Sequence, residues 1–282
     1  MDQYCVMGNP VEHSRSPRIH ARFAELCGQP MAYGRRLVPI GAFAEGIAAF
    51  RSEAAAQGDT ARGCNVTVPF KFDAAALAQH TSERATLAQA VNTLRFEADG
   101  SIHADNTDGI GLVNDIVRNA GVPLAGRSLL LIGAGGAAAG VLGPLLDAGA
   151  AHVVVANRTL DKAIALVQRH AALALRLGAA LEAWALDEVP GNFDVVVNAT
   201  ASSLAAEGGD AFGEGADRHQ PPAVVELLAG QFGESGVDPW RAAVLDRVAH
   251  HAIEVHASSP GGRWVTWVPR WHSPAFRASR RA

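Results

Sequence analysis

Leu129-Leu-Leu-Ile-Gly-Ala-Gly-Gly-Ala-Ala-Ala-Gly140 is the stretch that decides the fold, because an apolar run passes directly into glycines and then into a helix-forming segment. The pattern predicts a strand over 129–132, a tight glycine turn and a helix through Leu146. Glycines in such a turn let the backbone approach a ligand, and the helix start directs unpaired N–H groups at an anion. That anion is usually a dinucleotide pyrophosphate, although glycine-rich turns without a nucleotide also occur.

A second predicted strand, Val153–Ala156, follows this turn and ends in Asn157-Arg158-Thr159. In a βαβ unit, the end of that strand meets the adenosine ribose, where an acidic residue favours NAD by accepting hydrogen bonds from the 2′-hydroxyl. This chain has no carboxylate there, whereas Arg158 offers a cationic fork that suits a 2′-phosphate. NADP is therefore the predicted cofactor, with an exposed arginine that binds no ligand as the alternative.

A third predicted strand, Phe193–Thr200, ends in small polar residues. Ligands of open parallel sheets lie beyond the carboxyl ends of the strands, so Asn198 and Thr200 are expected to border the nicotinamide. An ordinary cap at the end of a strand is the alternative for both residues.

The composition limits the class of protein. The chain has 282 residues, 49% of them hydrophobic, and a net charge of −4, which suits about two domains and gives no reason to expect nucleic-acid or membrane binding. Its three cysteines lack paired or metal-ligand spacing, which predicts a cytoplasmic setting and no metal site. The first residues lack a secretion-signal pattern. The uncharged stretch 128–146 is long enough to cross a bilayer, but its five glycines and its proline argue against a membrane helix.

The order of predicted elements indicates an α/β protein of two domains with a cleft between them. Residues 1–107 form an N-terminal α/β substrate domain, in which helical segments at about 17–27, 41–57, 72–80 and 82–89 alternate with strands. The predicted strands are Tyr4–Met7, Arg35–Pro39, Gly63–Val68 and Val91–Phe96. Residues 108–126 form a connecting helix and linker, which ends near a Gly-x-Pro sequence. Residues 127–204 form a Rossmann-like dinucleotide-binding domain, and residues 205–282 form an atypical C-terminal tail.

Polar clusters in the first domain are the candidates for substrate chemistry. They span residues 8–17, 65–71, 90–93 and 105–109, and each follows an apolar strand or opens a helix. Ser14 and Ser16 precede a proline at a predicted helix start. They serve either as helix caps or, with the helix dipole, as neutral donors to a small carboxylate.

Lys71 and Asp108 are the candidate acid–base pair. Taken singly, Lys71 suits a solvated surface position and Asp108 suits an N-cap of the connecting helix. Together they match the needs of a hydroxyl-oxidising enzyme, in which a base takes the hydroxyl proton as hydride leaves carbon. Sequence spacing alone does not bring the two side chains together; that step depends on the fold.

Together, these motifs resemble the shikimate dehydrogenase family. The resemblance covers roughly residues 1–204 in the family's order and spacing, and NVTVPFK and DNTDG are its most specific parts. The matching stretches are GNPVEHSRSPRIH (8–20), GCNVTVPFK (63–71), AVNTL (90–94), DNTDGIGL (105–112), LLIGAGGAAAGVLGPLL (130–146), ANRT (156–159) and FDVVVNATASS (193–203).

The resemblance also implies roles for the matching residues. It makes Lys71 the acid/base group with Asp108 as its partner, and Ser14 and Ser16 the ligands of the substrate carboxylate. Ring hydroxyls are implied to bind Thr67, Asn92 and Asp108. The pyrophosphate is implied to lie against Gly133, Ala134, Gly135, Gly136 and Ala137, and the 2′-phosphate against Asn157, Arg158 and Thr159. The implied reaction interconverts shikimate and 3-dehydroshikimate with NADP. The protein is expected to be a monomer or homodimer.

The tail departs from the family pattern after about Ser203. It carries four of the five tryptophans and five of the eleven histidines, and it lacks the expected tyrosine and glutamine motifs. The tail either comes from an altered reading frame or is a divergent segment that folds. Residues 222–230 suit a helix or strand and 238–256 suit a helix, whereas 257–282 lack clear periodicity.

Two alternatives to a shikimate dehydrogenase remain at this point. The first is an enzyme that accepts quinate as well. The Ser14-x-Ser16 pair and Arg158 argue against a quinate enzyme that uses NAD. The second is a protein that binds NADP but has impaired catalysis because of its tail.

Overall fold

The computed structural model describes residues 1–190 and 192–200, together with the backbone of strands at 223–228, 252–258 and 264–267. The chain divides into two compact units. The first contains Met1–Gly111 and, farther along the chain, Ala139–Gly143; the second contains Leu112–Ala138 and the stretch that begins at Pro144. Two sheets with flanking helices confirm the predicted α/β class.

The first unit is built on a six-stranded mixed sheet. Its strands are β1 (Asp2–Gly8), β2 (Met31–Leu37), β3 (Thr60–Val66), β4 (His80–Thr81), β5 (Thr93–Phe96) and β6 (Ile102–Asp105). Its helices are α1 (Ser16–Cys27), α2 (Phe43–Ala56), α3 (Lys71–Leu77) and α4 (Glu83–Ala88). The strand order is β2-β1-β3-β5-β6-β4. Strands β1, β2 and β3 run parallel, while β5 pairs antiparallel with both β3 and β6.

The core of the first unit lies between this sheet and helices α2 and α3. Phe43 opens α2 and stacks on Phe70, with ring centroids 5.1 Å apart, directly before the start of α3. Met7 and Val66 are completely buried beneath them in β1 and β3. This packing fixes the N-terminal end of α3, which begins at Lys71.

The second unit contains a sheet of parallel strands extended at one side by antiparallel ones. Its strands are β7 (Ser128–Ile132), β8 (His152–Asn157), β9 (Ala180–Ala185), β10 (Val195–Asn198), β11 (Ala223–Leu228), β12 (Ala252–Ser258) and β13 (Trp264–Trp267). Its helices are α7 (Leu160–Leu177) and both ends of α6 (Gly136–Asp147), whose middle residues Ala139–Gly143 belong to the first unit. The strand order is β13-β12-β11-β10-β7-β8-β9. Strands β7, β8 and β10 are buried apolar runs, as expected for a sheet covered on both faces.

The chain reverses its direction of strand addition at β7. Strands β8 and β9 follow on one side of it, and β10 and β11 follow on the other. Such a switch point is where open parallel sheets bind their ligands, beyond the carboxyl ends of the strands. The glycine turn follows β7 directly and therefore lies at this switch point.

The predicted elements agree with the structure in most places. A helix begins at the predicted connector as α5 (Asp108–Asn114) and continues as a π-helical turn over Asp115–Asn119. Of the tail predictions, 222–230 contains strand β11, whereas the helix expected over 238–256 is wrong where it overlaps β12. The remainder of the atypical tail lies outside the described residues.

Candidate active site

Lys71 and Asp108 form a buried ion pair, although 37 positions separate them in the chain. The Lys71 Nζ donates to the Asp108 Oδ2 at 2.6 Å, and each side chain is only 4% exposed. The surface-lysine alternative is therefore wrong. Asp108 is the first residue of α5, and its carboxylate accepts the hydrogen bond from Lys71.

Asn92 holds the other oxygen of the Asp108 carboxylate. Its Nδ2 donates to Asp108 Oδ1 at 2.8 Å and to Thr107 Oγ1 at 2.9 Å. Its Oδ1 accepts from the Thr107 N–H at 3.1 Å and from the Thr93 hydroxyl at 2.9 Å. Because these bonds use both ends of the buried amide, Asn92 fixes the orientation of Asp108.

The mixed sheet explains how these residues meet. Antiparallel pairing sets Asn65 of β3 opposite Thr93 of β5, and Thr93 opposite Asp105 of β6. The start of β5 thus lies between the end of β3 and the end of β6, and the residues next to these three strand ends come close together. Tyr33 extends the network, since its hydroxyl donates to Asn65 Oδ1 at 2.6 Å.

Asp105 anchors the loop that leads to Asp108. Arg84 donates to both Asp105 oxygens, and Ser82 donates to Oδ1 at 2.5 Å. Burial raises the pKa of the Asp105 carboxyl, but the hydrogen bonds and the charge of Arg84 outweigh burial and leave that pKa below its usual value. The charged carboxylate also accepts from the Asn106 N–H at 2.7 Å, which fixes the start of the loop.

The predicted carboxylate ligands lie at the start of α1. Ser16 is buried and Ser14 half-buried, with their hydroxyls 3.2 Å apart. Neither serine is the N-cap; that position belongs to Arg15, which makes no capping hydrogen bond. The first turn of α1 contains no acidic residue. The local charges therefore suit an anion.

Thr67 follows β3 and lies against Gly8 at the end of β1. A Cβ at position 8 would come within 2.4 Å of Thr67 Cγ2, so glycine is required there for Thr67 to keep its place. The Thr67 N–H donates to the Met7 carbonyl at 2.9 Å, which holds the residue beside the sheet edge.

The glycine turn of the second unit contains the positive-φ glycine that its sequence predicts. Gly133 has a φ of +107°, and a Cβ there would lie 3.1 Å from the Ala199 carbonyl oxygen. Gly135 is the N-cap of α6, where no side chain makes a capping bond and no acidic residue occupies the first turn. The following Gly136 and Ala137 open the helix. Peptide N–H groups and the helix dipole therefore suit a pyrophosphate here.

Arg158 lies exposed directly after β8. No carboxylate pairs with it among the residues that the structure describes. Asn157 beside it donates from Nδ2 to the Thr159 carbonyl at 2.8 Å, which shapes the turn into α7. The guanidinium thus keeps its donors available for a phosphate.

Asn198 and Thr200 make a local cap at the end of β10. Asn198 Oδ1 accepts from the Thr200 N–H at 3.1 Å and from its hydroxyl at 2.8 Å. Asn198 is also the parallel partner of Ile132, the last residue before the glycine turn. Both residues therefore lie at the same sheet edge as the turn.

The structure brings the predicted residues into two groups, one in each unit. Sequence reasoning did not single out Asn106, which is buried in the first group; its place inside the DNTDG motif was the available signal. In the described part of the chain, no group of three or more His, Cys, Asp or Glu side chains is arranged to hold a metal ion. None of the described helices combines the length and apolarity that a bilayer crossing needs.

Comparison with known proteins gives concordant results. Residues 6–94 match the family model for the shikimate dehydrogenase substrate binding domain, and residues 115–227 match that for shikimate / quinate 5-dehydrogenase. The NADP(+) shikimate dehydrogenase of Paracidovorax citrulli is 63% identical over 204 residues, which are 72% of this chain and 70% of that protein. Its counterpart from Verminephrobacter eiseniae is 62% identical over 204 residues, 72% of this chain and 69% of that protein.

A solved structure supports the same assignment. Shikimate 5-dehydrogenase from Thermus thermophilus, crystallised in complex with NADP(H) and shikimate, superposes with a TM-score of 0.56 at 31% identity. The superposition covers 71% of this chain and 69% of that one. The two family models together match more than half of the sequence. The chain therefore belongs to the shikimate dehydrogenase family.

Proposed function

We propose that this protein interconverts shikimate and 3-dehydroshikimate with NADP as cofactor. In the forward direction, shikimate and NADP⁺ give 3-dehydroshikimate, NADPH and a proton. The buried Lys71–Asp108 pair carries the proposal, because an amine held by a carboxylate away from water is the acid–base group that alcohol oxidation needs. The names of the relatives from Paracidovorax citrulli and Verminephrobacter eiseniae support the same reaction.

Lys71 is the group that moves the proton in this mechanism. As an amine, Nζ takes the proton from the substrate hydroxyl during oxidation; as an ammonium, it returns that proton to the carbonyl oxygen during reduction. Asp108 Oδ2 accepts from Nζ at 2.6 Å and so orients the amine. Asn92 in turn prevents rotation of the Asp108 carboxylate.

The substrate carboxylate is proposed to bind Ser14 and Ser16. Their hydroxyls are close enough to serve one carboxylate, and the start of α1 adds a favourable dipole. Arg35 donates from Nε to the Ser14 carbonyl at 2.7 Å, which steadies this backbone. Thr67, together with Asn92 and Asp108, is proposed to contact the ring hydroxyls.

The residues of the second unit fit NADP. The φ of Gly133 and the open N-terminus of α6 suit a pyrophosphate, and the exposed Arg158 suits a 2′-phosphate. We propose that Ala134 and Ala137 line the same turn, and that Asn157 and Thr159 flank the 2′-phosphate. Asn198 and Thr200 are proposed to border the nicotinamide. When bound, NADP supplies the carbon that accepts or donates the hydride.

A turnover assay tests the proposal. The purified protein, incubated with shikimate and NADP⁺, should produce NADPH, which is measured by its absorbance. Binding of NADP without turnover would instead favour a protein with impaired catalysis, the alternative that rests on the divergent tail. Faster turnover of quinate with NAD⁺ would favour a quinate enzyme, which the description of the second family model also names.

The proposal extends to the location, the domain roles and the oligomeric state of the protein. The three cysteines are free thiols, which supports the proposed cytoplasmic location. The proposed domains are 1–107 for substrate and 127–204 for NADP, joined by 108–126. We propose a monomer or homodimer, which sedimentation of the purified protein distinguishes from larger assemblies.

A further inference from the structure

Asn106 is a buried amide directly beside the Lys71–Asp108 pair. The residue is 1% exposed, and both ends of its carboxamide have protein partners. Its Oδ1 accepts from the Asp108 N–H at 3.1 Å, and its Nδ2 donates to the Ala90 carbonyl at 2.9 Å. One side chain thus joins the first turn of α5 to the segment that precedes β5.

That segment also holds the backbone of Lys71. The N–H of Val91, the residue after Ala90, donates to the Lys71 carbonyl at 2.8 Å. A closed ring of contacts therefore runs from Asn106 through Asp108 to the Lys71 side chain, and back through Val91 and Ala90. Asn106 is therefore hydrogen-bonded to both of the backbone segments on which this ring depends.

Gly140 provides a second, independent observation on the same amide. It belongs to Ala139–Gly143, the part of α6 that is assigned to the first unit. A Cβ at position 140 would lie 2.6 Å from Asn106 Nδ2, 2.7 Å from Oδ1 and 2.9 Å from Cγ. Even a methyl group at this position would force the Asn106 amide out of its place.

We propose that Asn106 is a positioning residue for the Lys71–Asp108 pair and that Gly140 keeps its place open. Asn106 acts through the backbone of Asp108 and through Ala90, not by touching substrate. The activity readout of this inference rests on the proposed function. The proposal predicts that a methyl group added at position 140 and an amide removed at position 106 disturb the same contact.

A double-mutant cycle tests this directly. Gly140→Ala and Asn106→Ala should each lower kcat by about 10²-fold with little change in KM for shikimate, because misplacing a catalytic group by about 1 Å costs this much. The double variant should be no slower than Asn106→Ala alone, since no amide remains for the new methyl group to displace. Gly34→Ala is the matched control, because nothing lies within 4 Å of a Cβ there, and it should keep the kcat of the unchanged protein.

The isosteric variant Asn106→Asp distinguishes a positioning role from a loss of stability. The carboxylate keeps the acceptor for the Asp108 N–H but loses the donor to Ala90. It should therefore shift the pH profile of kcat/KM, which a loss of stability alone does not do. A Gly140→Ala variant with unchanged kcat, or a double variant whose loss equals the product of the single losses, would overturn the proposal.

Unfolding measurements separate this proposal from the proposed function. Absence of turnover in the unchanged protein would count against the proposed reaction. The denaturation midpoints of the unchanged protein, the two single alanine variants and the double variant would still report the contact between Gly140 and Asn106. Alanine is a better helix former than glycine, so a lower midpoint for Gly140→Ala reports the steric conflict. If Gly140→Ala no longer lowers the midpoint in the Asn106→Ala background, the positioning role is supported. If Gly140→Ala lowers the midpoint there as well, the positioning role is refuted.

Discussion

Replacing Lys71 with methionine removes the ammonium group while keeping the length of the side chain. We expect kcat to fall by about 10²–10⁴, the usual contribution of general acid–base catalysis, which corresponds to about 3–5 kcal/mol of activation free energy. KM for shikimate should change little, because Lys71 is proposed to act on the transferred proton.

The same substitution should destabilise the fold, since it leaves the buried Asp108 carboxylate without its cationic partner. Removing one partner of a buried ion pair costs about 3–5 kcal/mol. We expect about 3 kcal/mol, the lower end, because Asn92 still donates to Oδ1. The double variant Lys71→Met/Asp108→Asn should regain about 1–2 kcal/mol, because a neutral amide costs less to bury than a charge. It should regain no activity.

Steady-state kinetics and urea denaturation of the same preparations measure the two effects. Lys162→Met is the matched control, because Lys162 is the only other lysine and lies exposed on α7. The control should retain kcat. A Lys71→Met protein that is folded and within about threefold of the original kcat would refute the role of Lys71. Recovery of activity in the double variant would show that stability, not proton transfer, limits the single one.

Two further predictions concern the second unit. Arg158→Gln should weaken NADP binding by about 10–100-fold and leave NAD binding nearly unchanged, because hydrogen bonds to a charged group contribute about 1.5–3 kcal/mol. Calorimetric titration with each cofactor measures the two affinities, and equal weakening of NADP and NAD binding would contradict the prediction. Burial and the nearby Arg169 charge lower the pKa of His170, although the bond to the Leu166 carbonyl opposes this shift. The neutral imidazole therefore contributes to stability above about pH 6.5, the value of an unfolded histidine, and this contribution is lost as the pH falls below that value. The loss is at most about 1.4 kcal/mol per pH unit. Urea denaturation between about pH 5 and 8 should therefore show a flatter pH dependence for His170→Leu, and an unchanged slope would contradict the assignment.

The candidate dinucleotide site of the second unit was predictable because its signals are local. The turn after β7 requires residues that tolerate positive φ, and Gly133 supplies one at +107°. The position of Arg158 after the next strand follows from the regular length of a βαβ unit. In both cases the chemistry depends on backbone that neighbouring residues in the chain determine.

The candidate substrate site of the first unit depends on contacts between distant segments. Strands β4 and β6 were not predicted, and β6 is the strand that brings the loop before Asp108 beside β5. The roles of Asn106 and Gly140 depend on a steric relation that no sequence period encodes. The DNTDG motif contains Asn106, but the motif alone does not indicate which atoms the Asn106 amide contacts.

The sequence by itself determined the α/β class, the glycine turn and the cationic residue after β8, because hydrophobic period and glycine backbone freedom are properties of short stretches. Only the tertiary structure decided that Lys71 and Asp108 form one buried pair and that Asn92 and Asn106 hold it. That pairing requires antiparallel strands to bring together two residues that lie 37 positions apart, and burial then removes the water that would otherwise separate the charges.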